Sequence, residues 1–511
     1  MVHPTVACVI AIDAGTSGVR ALAVDETGTV VDISYRELTQ HYPRPGWVEH
    51  DPDEIWDAVV ATVSQVATRQ RDAQRPIAAV GITNQRETVV AWGRATGRPR
   101  HRAIVWQDRR TAEQTDSLRD AGHLPAVRAR TGLVLDPYFS ATKMAWLLGP
   151  GGVTVDADLV LGTVDAWVVW NLTGGCDGGV LVTDASNAAR TLLFDIHDLA
   201  WSDELCELFG VPRAALPEVR PSCGRLGVVG GELGGPGAPL EGVPVSGVAG
   251  DQQAALFGQA CFSPGMAKAT YGTGTFVLLN VGESSPPPPD GLLLTVAWDL
   301  GEHGGGSSPV AYALEGAVFV TGAAIQWLRD GLGIIPDAAG VGPLAAQVPD
   351  TGGIYVVPAF TGLGSPWWDP YARGTITGIS RGLGAPHIAR AVLEAIAFQV
   401  RDVVDVMRSV HDEVSALRVD GGAAVQDLLL QLQADQLRVR VARPTTTETT
   451  ALGAATLAGL AEGVWGTLED LGSLWAVEAE FEPNATAVAA NSAYNGWRRA
   501  VERSLGWASV S

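Results

Sequence analysis

The sequence predicts an α/β protein built as two lobes, and three observations carry that prediction. Apolar, β-rich runs alternate with stretches of helical period through both halves of the chain. A Gly-Thr turn between two apolar runs stands near the start, and a second stands far downstream. The length of 511 residues corresponds to roughly two to four domains.

The first unit opens the chain. Val6–Ile12 is a predicted strand, Asp13-Ala-Gly-Thr-Ser-Gly18 a turn, and Val19–Val24 a second strand. Asp25–Gly28 then turns into a third strand at Thr29–Ile33. The second unit runs from Met266–Thr270 through Gly272-Thr-Gly-Thr275 into the apolar Phe276–Val281. The match reads as a faint internal duplication, although two unrelated Gly-Thr turns would give the same pattern. Helical periodicity marks Ile55–Thr68, His387–Met407 and Val425–Leu437. The last is followed by a β-rich run at Arg438–Ala442, a polar turn at Thr445–Thr450 and a small-residue helix at Ala451–Glu462. Gly282–Asp290, with four consecutive prolines, is expected as a surface loop. The lobe boundary falls near Gly258–Pro264, which gives lobes of residues 1–258 and 259–511.

Composition narrows the class of function. Hydrophobic residues make up 46% and charged residues 18%, enough to bury sizeable cores. The formal net charge of −21 argues against a nucleic-acid or anionic-membrane partner, since both are met by basic surfaces. A field of that sign also repels phosphates, so any phosphate site must supply its own local donors. Lysine is confined to Lys143 and Lys268, with arginine elsewhere. The plain reading is a coding bias, but the scarcity removes most lysine-based chemistries. The five cysteines are scattered, with no CxxC pair, so neither a disulfide framework nor a zinc site is expected. The apolar run at Val6–Ile12 is too short for a membrane span or a signal peptide. A cytoplasmic protein is expected.

Three groups of residues carry candidate chemistry. In Asp13-Ala-Gly-Thr-Ser-Gly-Val-Arg20, glycines let backbone approach phosphates, Asp13 can hold a divalent cation through water, and Arg20 offers a forked charge. An ordinary hairpin turn is the competing reading. In Gly247-Val-Ala-Gly-Asp-Gln-Gln253, the Asp251 carboxylate can take a proton from a bound hydroxyl, or simply cap the helix expected at Gln252–Gln259. Arg86, Glu87, Trp106 and Tyr138 combine charge, an aromatic wall and a hydroxyl, as a polyol site requires. A surface ion pair and two core aromatics would read the same way. The chain has no GxxxxGK[ST] loop, no HRD loop with a VAIK strand and no HExxH. Phosphoryl transfer here would use neither the P-loop nor the protein-kinase scheme.

With these segments in view, the chain resembles the bacterial glycerol kinases of the FGGY carbohydrate-kinase family. The resemblance covers nearly the whole length. It includes Tyr42–His50, Gly81–Thr88, Ala103–Thr111, Gly250–Gly258, Tyr312–Phe319, Val357–Gly364 and a signature over Gly374–Glu394. It implies two actin-like, ribonuclease-H-like lobes with the active site in the cleft between them, ATP and Mg²⁺ as cofactors, and a homo-oligomer, dimer or tetramer. It implies that Arg86, Glu87, Tyr138, Asp251 and Gln252 bind glycerol hydroxyls, and that Trp106 and Phe276 wall the carbon chain. By the same resemblance, Thr16, Ser17, Arg20 and Thr273 face the ATP phosphates, and Gly322, Gln326, Gly422 and Gln426 frame the nucleotide. The chain departs from the family pattern at Ala14, where glutamine is common, at Gln426, where asparagine is usual, and at Gly149 in the first family signature. None of these is a presumed glycerol contact. The rivals are a family member acting on a pentulose or longer polyol, a ribokinase-like enzyme suggested by Ala249-Gly-Asp251, and a non-catalytic actin-like ATP-binding sensor.

Overall fold

Two mixed sheets organise the chain, each started by one of the Gly-Thr turns. The computed structural model describes residues 7–235, 238–303, 309–411 and 414–508, so Val6 of the first expected strand lies outside the described residues. The first sheet is six-stranded, in the order Cys223–Val228, Pro244–Gly250, Ile77–Asn84, Cys8–Ala14, Gly18–Asp25, Val30–Glu37. The second is seven-stranded, in the order Leu293–Asp299, Val310–Val318, Thr275–Gly282, Met266–Tyr271, Ala416–Asp420, Val441–Pro444, Val477–Phe481. In both, an antiparallel hairpin closes on the Gly-Thr turn, and a later strand pairs in parallel with the hairpin's first strand. A further parallel strand and an antiparallel edge follow in both. The duplication suspected from two short turns is therefore a duplication of the whole sheet.

The central strands of each sheet are covered on both faces and read as continuous apolar runs, whereas the edge strands Val30–Glu37 and Val477–Phe481 stay largely exposed. Cys8 to Ile12 are fully buried. The helix Pro52–Asp72 covers part of the first sheet with Ile55, Val59, Val63 and Val66. Its start is defined by Asp51, whose side chain accepts from the Asp53 N–H, and by Pro52 in the first turn. Asp53 and Glu54 at its start and Arg69 and Arg71 at its end suit the helix dipole. A small four-stranded sheet, Glu49–His50, Ala103–Ile104, Val89–Gly93 and Leu159–Thr163, stands within the first lobe.

The lobes meet through the helices Asp251–Gly258 and Thr449–Ala461. The second is the expected small-residue helix, and its composition has a steric cause: a Cβ at Gly453 would collide with the Ala254 carbonyl. It comes late in the chain yet packs on strands Cys8–Ala14, Ile77–Asn84 and Pro244–Gly250 of the first sheet.

Several boundaries differ from expectation. The third strand runs Val30–Glu37 and extends past Ile33. Arg438 does not begin a strand; it closes the preceding helix in a left-handed conformation, φ 60°, and the strand starts at Val441. The stretch from Val425 is not one helix. Gly422–Val425 forms a 3₁₀ turn, Gln426 is extended, and the α-helix runs Asp427–Leu437. Thr449 and Thr450 belong to a helix and not to a turn. The proline-rich segment is a connection between strands, as expected, and its Pro288 and Pro289 carbonyls accept from Arg128. No helix among the described residues is long and apolar enough to cross a membrane.

Candidate active site

Gln85 to Thr88 form a tight turn between the strands Ile77–Asn84 and Val89–Gly93. Glu87 sits in the left-handed region, φ 61°, a conformation that costs energy for a residue with a Cβ and that surrounding packing has to maintain. The turn places Arg86 and Glu87 inside the protein, 2% and 1% exposed, so they are not a surface ion pair. Buried charges need partners, and here they form a chain. The Arg190 Nε donates to Glu87 Oε1 at 2.6 Å, and its Nη2 donates to Glu315 Oε1 at 2.8 Å. Arg86 Nη1 donates to Glu315 Oε2 at 2.6 Å and to Gln253 Oε1 at 3.1 Å, and its Nη2 donates to the Tyr138 hydroxyl at 3.2 Å. Arg86 Nε lies 3.1 Å from Asp251 Oδ1.

The electrostatics follow from burial set against these pairings. Burial raises the Glu87 pKa in spite of both guanidiniums. For Glu315, burial is outweighed by Arg190 and Arg86, which hold the carboxyl down at about 2. Asp251 is the open end of the chain, its side chain about a third exposed at 32%. It is the first residue of the helix Asp251–Gly258, whose N-cap is Gly250, so its carboxylate is not the cap. That carboxylate accepts from the Gln252 N–H at 2.7 Å.

Three rings stand beside the charges. The Trp106 ring is 5.6 Å from Tyr138 and 6.4 Å from Phe276, edge-on to both. The Arg86 guanidinium is 5.8 Å from the Phe276 ring centre. Trp106 is fixed by its Nε1–H, which donates to Thr16 Oγ1 at 2.9 Å, and by its backbone N–H, which donates to Thr88 Oγ1. The structure thus gathers Arg86, Glu87, Trp106, Tyr138, Asp251 and Phe276. Gln252 follows Asp251, and its Oε1 accepts from Lys268.

The two Gly-Thr turns are held differently. In the first, the Gly15 N–H donates to the Gly18 carbonyl, and Ser17 is exposed, with its carbonyl accepting from the Tyr35 hydroxyl. Burial pushes Asp13 up to about 7, with Arg20 opposing and Asp251 and Glu448 adding to the rise. Arg20 is engaged on two sides: its Nη1 donates to Glu448 at 2.7 Å, and its Nε is 3.8 Å from Asp13. In the second turn, the Thr273 carbonyl accepts from the Thr321 and Ala323 N–H groups, and the Gly272 carbonyl accepts from Gly322. Gly322 has to be glycine here, because a Cβ would stand 2.6 Å from the Gly272 oxygen. The helix Gly322–Gln326 is thereby docked on the turn, with Gln326 exposed at its end. Gly422 opens the 3₁₀ turn after Ala416–Asp420, and nothing lies within 4 Å of where its Cβ would be. Gln426 donates to the Ala338 carbonyl at 3.3 Å.

Sequence reasoning missed Arg190, Gln253, Glu315 and Glu448. Glu315 had a legible signal, since it is the sole charged residue of the strand Val310–Val318, which is buried throughout. Arg190 had none. No group of three or more His, Cys, Asp or Glu side chains suited to a metal occurs among the described residues. A cavity of about 320 Å³ beside Pro125, His197 and Pro287 contains none of the site residues.

Two family descriptions match the chain: the N-terminal domain of the FGGY family of carbohydrate kinases over residues 8–258, and its C-terminal domain over residues 267–462. Glycerol kinase 2 of Thermotoga maritima is 52% identical over 504 residues, which is 98% of this chain and 99% of that protein. The glycerol kinase of Halorhodospira halophila is 52% identical over 505 residues, 98% of this chain and 97% of that one. Among solved structures, Plasmodium falciparum glycerol kinase with ADP superposes with a TM-score of 0.91 at 33% identity, over 98% of each chain. Gluconate kinase from Lactobacillus acidophilus, at 20% identity and a TM-score of 0.86 over 98% of this chain and 97% of that one, shares the fold.

Proposed function

The chain belongs to the FGGY family of carbohydrate kinases, and from that premise we propose that it transfers the γ-phosphoryl group of ATP to a terminal hydroxyl of glycerol, giving sn-glycerol 3-phosphate, in glycerol catabolism. The observation that carries this reading is the buried chain Glu87–Arg190–Glu315–Arg86, which ends at the open carboxylate of Asp251 beside three aromatic rings. Relatives half-identical over the full length support the same substrate.

In the proposed reaction, Arg86, Glu87, Tyr138 and Gln252 hold the hydroxyls, and Trp106 and Phe276 flank the carbons. The terminal hydroxyl oxygen attacks the γ-phosphorus in line. Its proton passes to Asp251, the bond to the bridging oxygen breaks, and ADP leaves. The transition state carries little covalent participation by the protein, so positioning and charge stabilisation supply most of the rate. Thr16, Ser17, Arg20 and Thr273 are the proposed phosphate-side residues, and Gly322, Gln326, Gly422 and Gln426 the proposed nucleotide frame. The environment of Asp13 suits a divalent cation: burial pushes its carboxyl up to about 7 against the opposing Arg20 guanidinium, with the Asp251 and Glu448 carboxylates adding to the rise, so further positive charge would be favourable there. Asp13 would hold Mg²⁺ through water, and the ion would supply neutralisation of the phosphates. Closure of lobes 1–258 and 259–511 around the substrates would exclude water, the competing acceptor. A cytoplasmic homo-oligomer, dimer or tetramer, belongs to the same proposal.

A pentulose or longer polyol fits less well, because Arg86, Trp106 and Tyr138 are mutually braced and leave little freedom to widen the site. A non-catalytic sensor has no use for an exposed carboxylate held against Arg86. ADP release across glycerol, dihydroxyacetone, erythritol, xylulose and ribulose tests the reading. Glycerol giving the highest kcat/KM supports it, and preference for a pentulose overturns it.

A further inference from the structure

The chain has only two lysines, and both are fully buried. Each stands directly behind a residue of the proposed polyol site. Lys143 lies in the first turn of the helix Ser140–Leu148. Its ammonium donates to three successive carbonyls, those of Pro137 at 2.8 Å, Tyr138 at 2.5 Å and Phe139 at 2.8 Å. Lys268, on the strand Met266–Tyr271, donates to Gln252 Oε1 and, at 2.9 Å, to Thr270 Oγ1.

Neither placement is explained by stability alone. A cation at a helix N-terminus opposes the helix dipole. Burial opposes the charge as well, pushing the Lys143 pKa down to about 7 and that of Lys268 to about 8. Three carbonyls around one nitrogen are a geometry for a tetrahedral ammonium with three diverging N–H bonds. The planar guanidinium spreads its donors over three nitrogens and cannot reproduce it. A chain that uses arginine elsewhere keeps lysine where a compact point donor is required.

The consequences reach the site directly. The Tyr138 N–H donates to Asp136 Oδ1 at 2.8 Å, and Asp136 is tied to Arg109 at 2.7 Å. With Lys143 on the carbonyl side, both peptide groups of Tyr138 are fixed, which places its hydroxyl 3.2 Å from Arg86 Nη2. On the other side, an ammonium can only donate, so Lys268 fixes which end of the Gln252 amide is oxygen. The N–H₂ end is left to donate to a ligand hydroxyl. Resting on the polyol-kinase reading above, we propose that Lys143 and Lys268 are positioning residues that hold Tyr138 and Gln252 in the geometry that grips the polyol.

The test compares Lys143→Met, Lys143→Arg and Lys268→Met with wild type on whichever polyol the wild type phosphorylates best, so failure of the glycerol assignment and failure of this proposal stay separate. KM for the polyol, KM for ATP, kcat and melting temperature are measured together. Each Met variant is expected to raise polyol KM about tenfold, as for loss of one well-placed hydrogen bond, with ATP KM changed less than about twofold. Lys143→Arg is expected not to restore it, although it keeps the charge. Should Lys143→Met fail to fold, Lys268→Met decides the proposal on separate elements, with the same expected rise in polyol KM. A lowered melting temperature with unchanged polyol KM, or full function in Lys143→Arg, overturns the proposal.

Discussion

The proposed polyol side and the proposed nucleotide side of the site are made from different materials. Around Arg86, the carboxylates of Glu87 and Glu315 and the guanidinium of Arg190 are buried and paired with one another, so the shape of the site is set by the protein's own charges. Removing a member leaves an uncompensated buried charge, which is far more costly than losing a surface pair. On the nucleotide side, Arg20 is paired with Glu448 and Thr16 accepts from Trp106, but the remaining proposed residues are backbone turns and side chains with looser ties. Thr273 acts through its carbonyl, Gly322 through the Cβ it lacks, Gln326 is exposed, and Gln426 makes a single long bond. One half of the site is rigid because of side-chain charge, and the other is shaped by main chain. Substitutions should therefore be severe and polyol-specific on the first side, and mild and nucleotide-specific on the second.

The largest expected effect is that of Asp251→Asn. Loss of the proton acceptor should lower kcat by about 10²–10⁴-fold and leave the glycerol KM within a few-fold, because Arg86 and Glu315 stay paired. A kcat near wild type would remove Asp251 from the chemistry. Glu315→Gln comes next, since it strips two buried guanidiniums of their shared carboxylate. It should cost about 3–5 kcal/mol of stability, read as a lowered melting temperature, together with a higher glycerol KM. Because Glu315 is held at about 2, below its value of 4.5 in the unfolded chain, its contribution is complete above about pH 4.5 and is lost as pH falls toward 2. The Gln variant should lack that part of the acid dependence in a melting series.

Trp106→Ala should raise glycerol KM more than it lowers kcat, since an apolar wall binds substrate and transition state alike. Unchanged steady-state constants would show that this indole only fills space. Gln426→Asn should be the mildest. The side chain keeps its amide and loses one methylene, worth on the order of 1 kcal/mol in nucleotide affinity. A change in glycerol KM with ATP KM untouched would break the division between the two sides.

The same division explains what could be read from the sequence. The duplicated turns were visible as short Gly-Thr signals, and each starts an equivalent sheet. The proposed polyol residues stand in dense local segments such as Asn84–Thr88, which made them visible as candidates without coordinates. Arg190 could not, because its bond to Glu315 joins residues 125 positions apart and no periodic pattern encodes such a pair. Arg438 was misread as strand because its apolar-flanked, β-rich surroundings outweighed the local fact that it closes a helix in the left-handed region. The steric demand at Gly453 was sensed only as a run of small residues, since the Ala254 carbonyl it accommodates comes from a helix two hundred residues earlier in the chain.

The proposed polyol site is fixed by charges within the protein and needs no nucleotide for its assembly. Calorimetric titration of glycerol into nucleotide-free protein tests this most directly. Saturable one-site binding is expected, with an affinity that changes little when ADP is added and that falls sharply in Glu315→Gln. Binding that emerges only in the presence of nucleotide would contradict it.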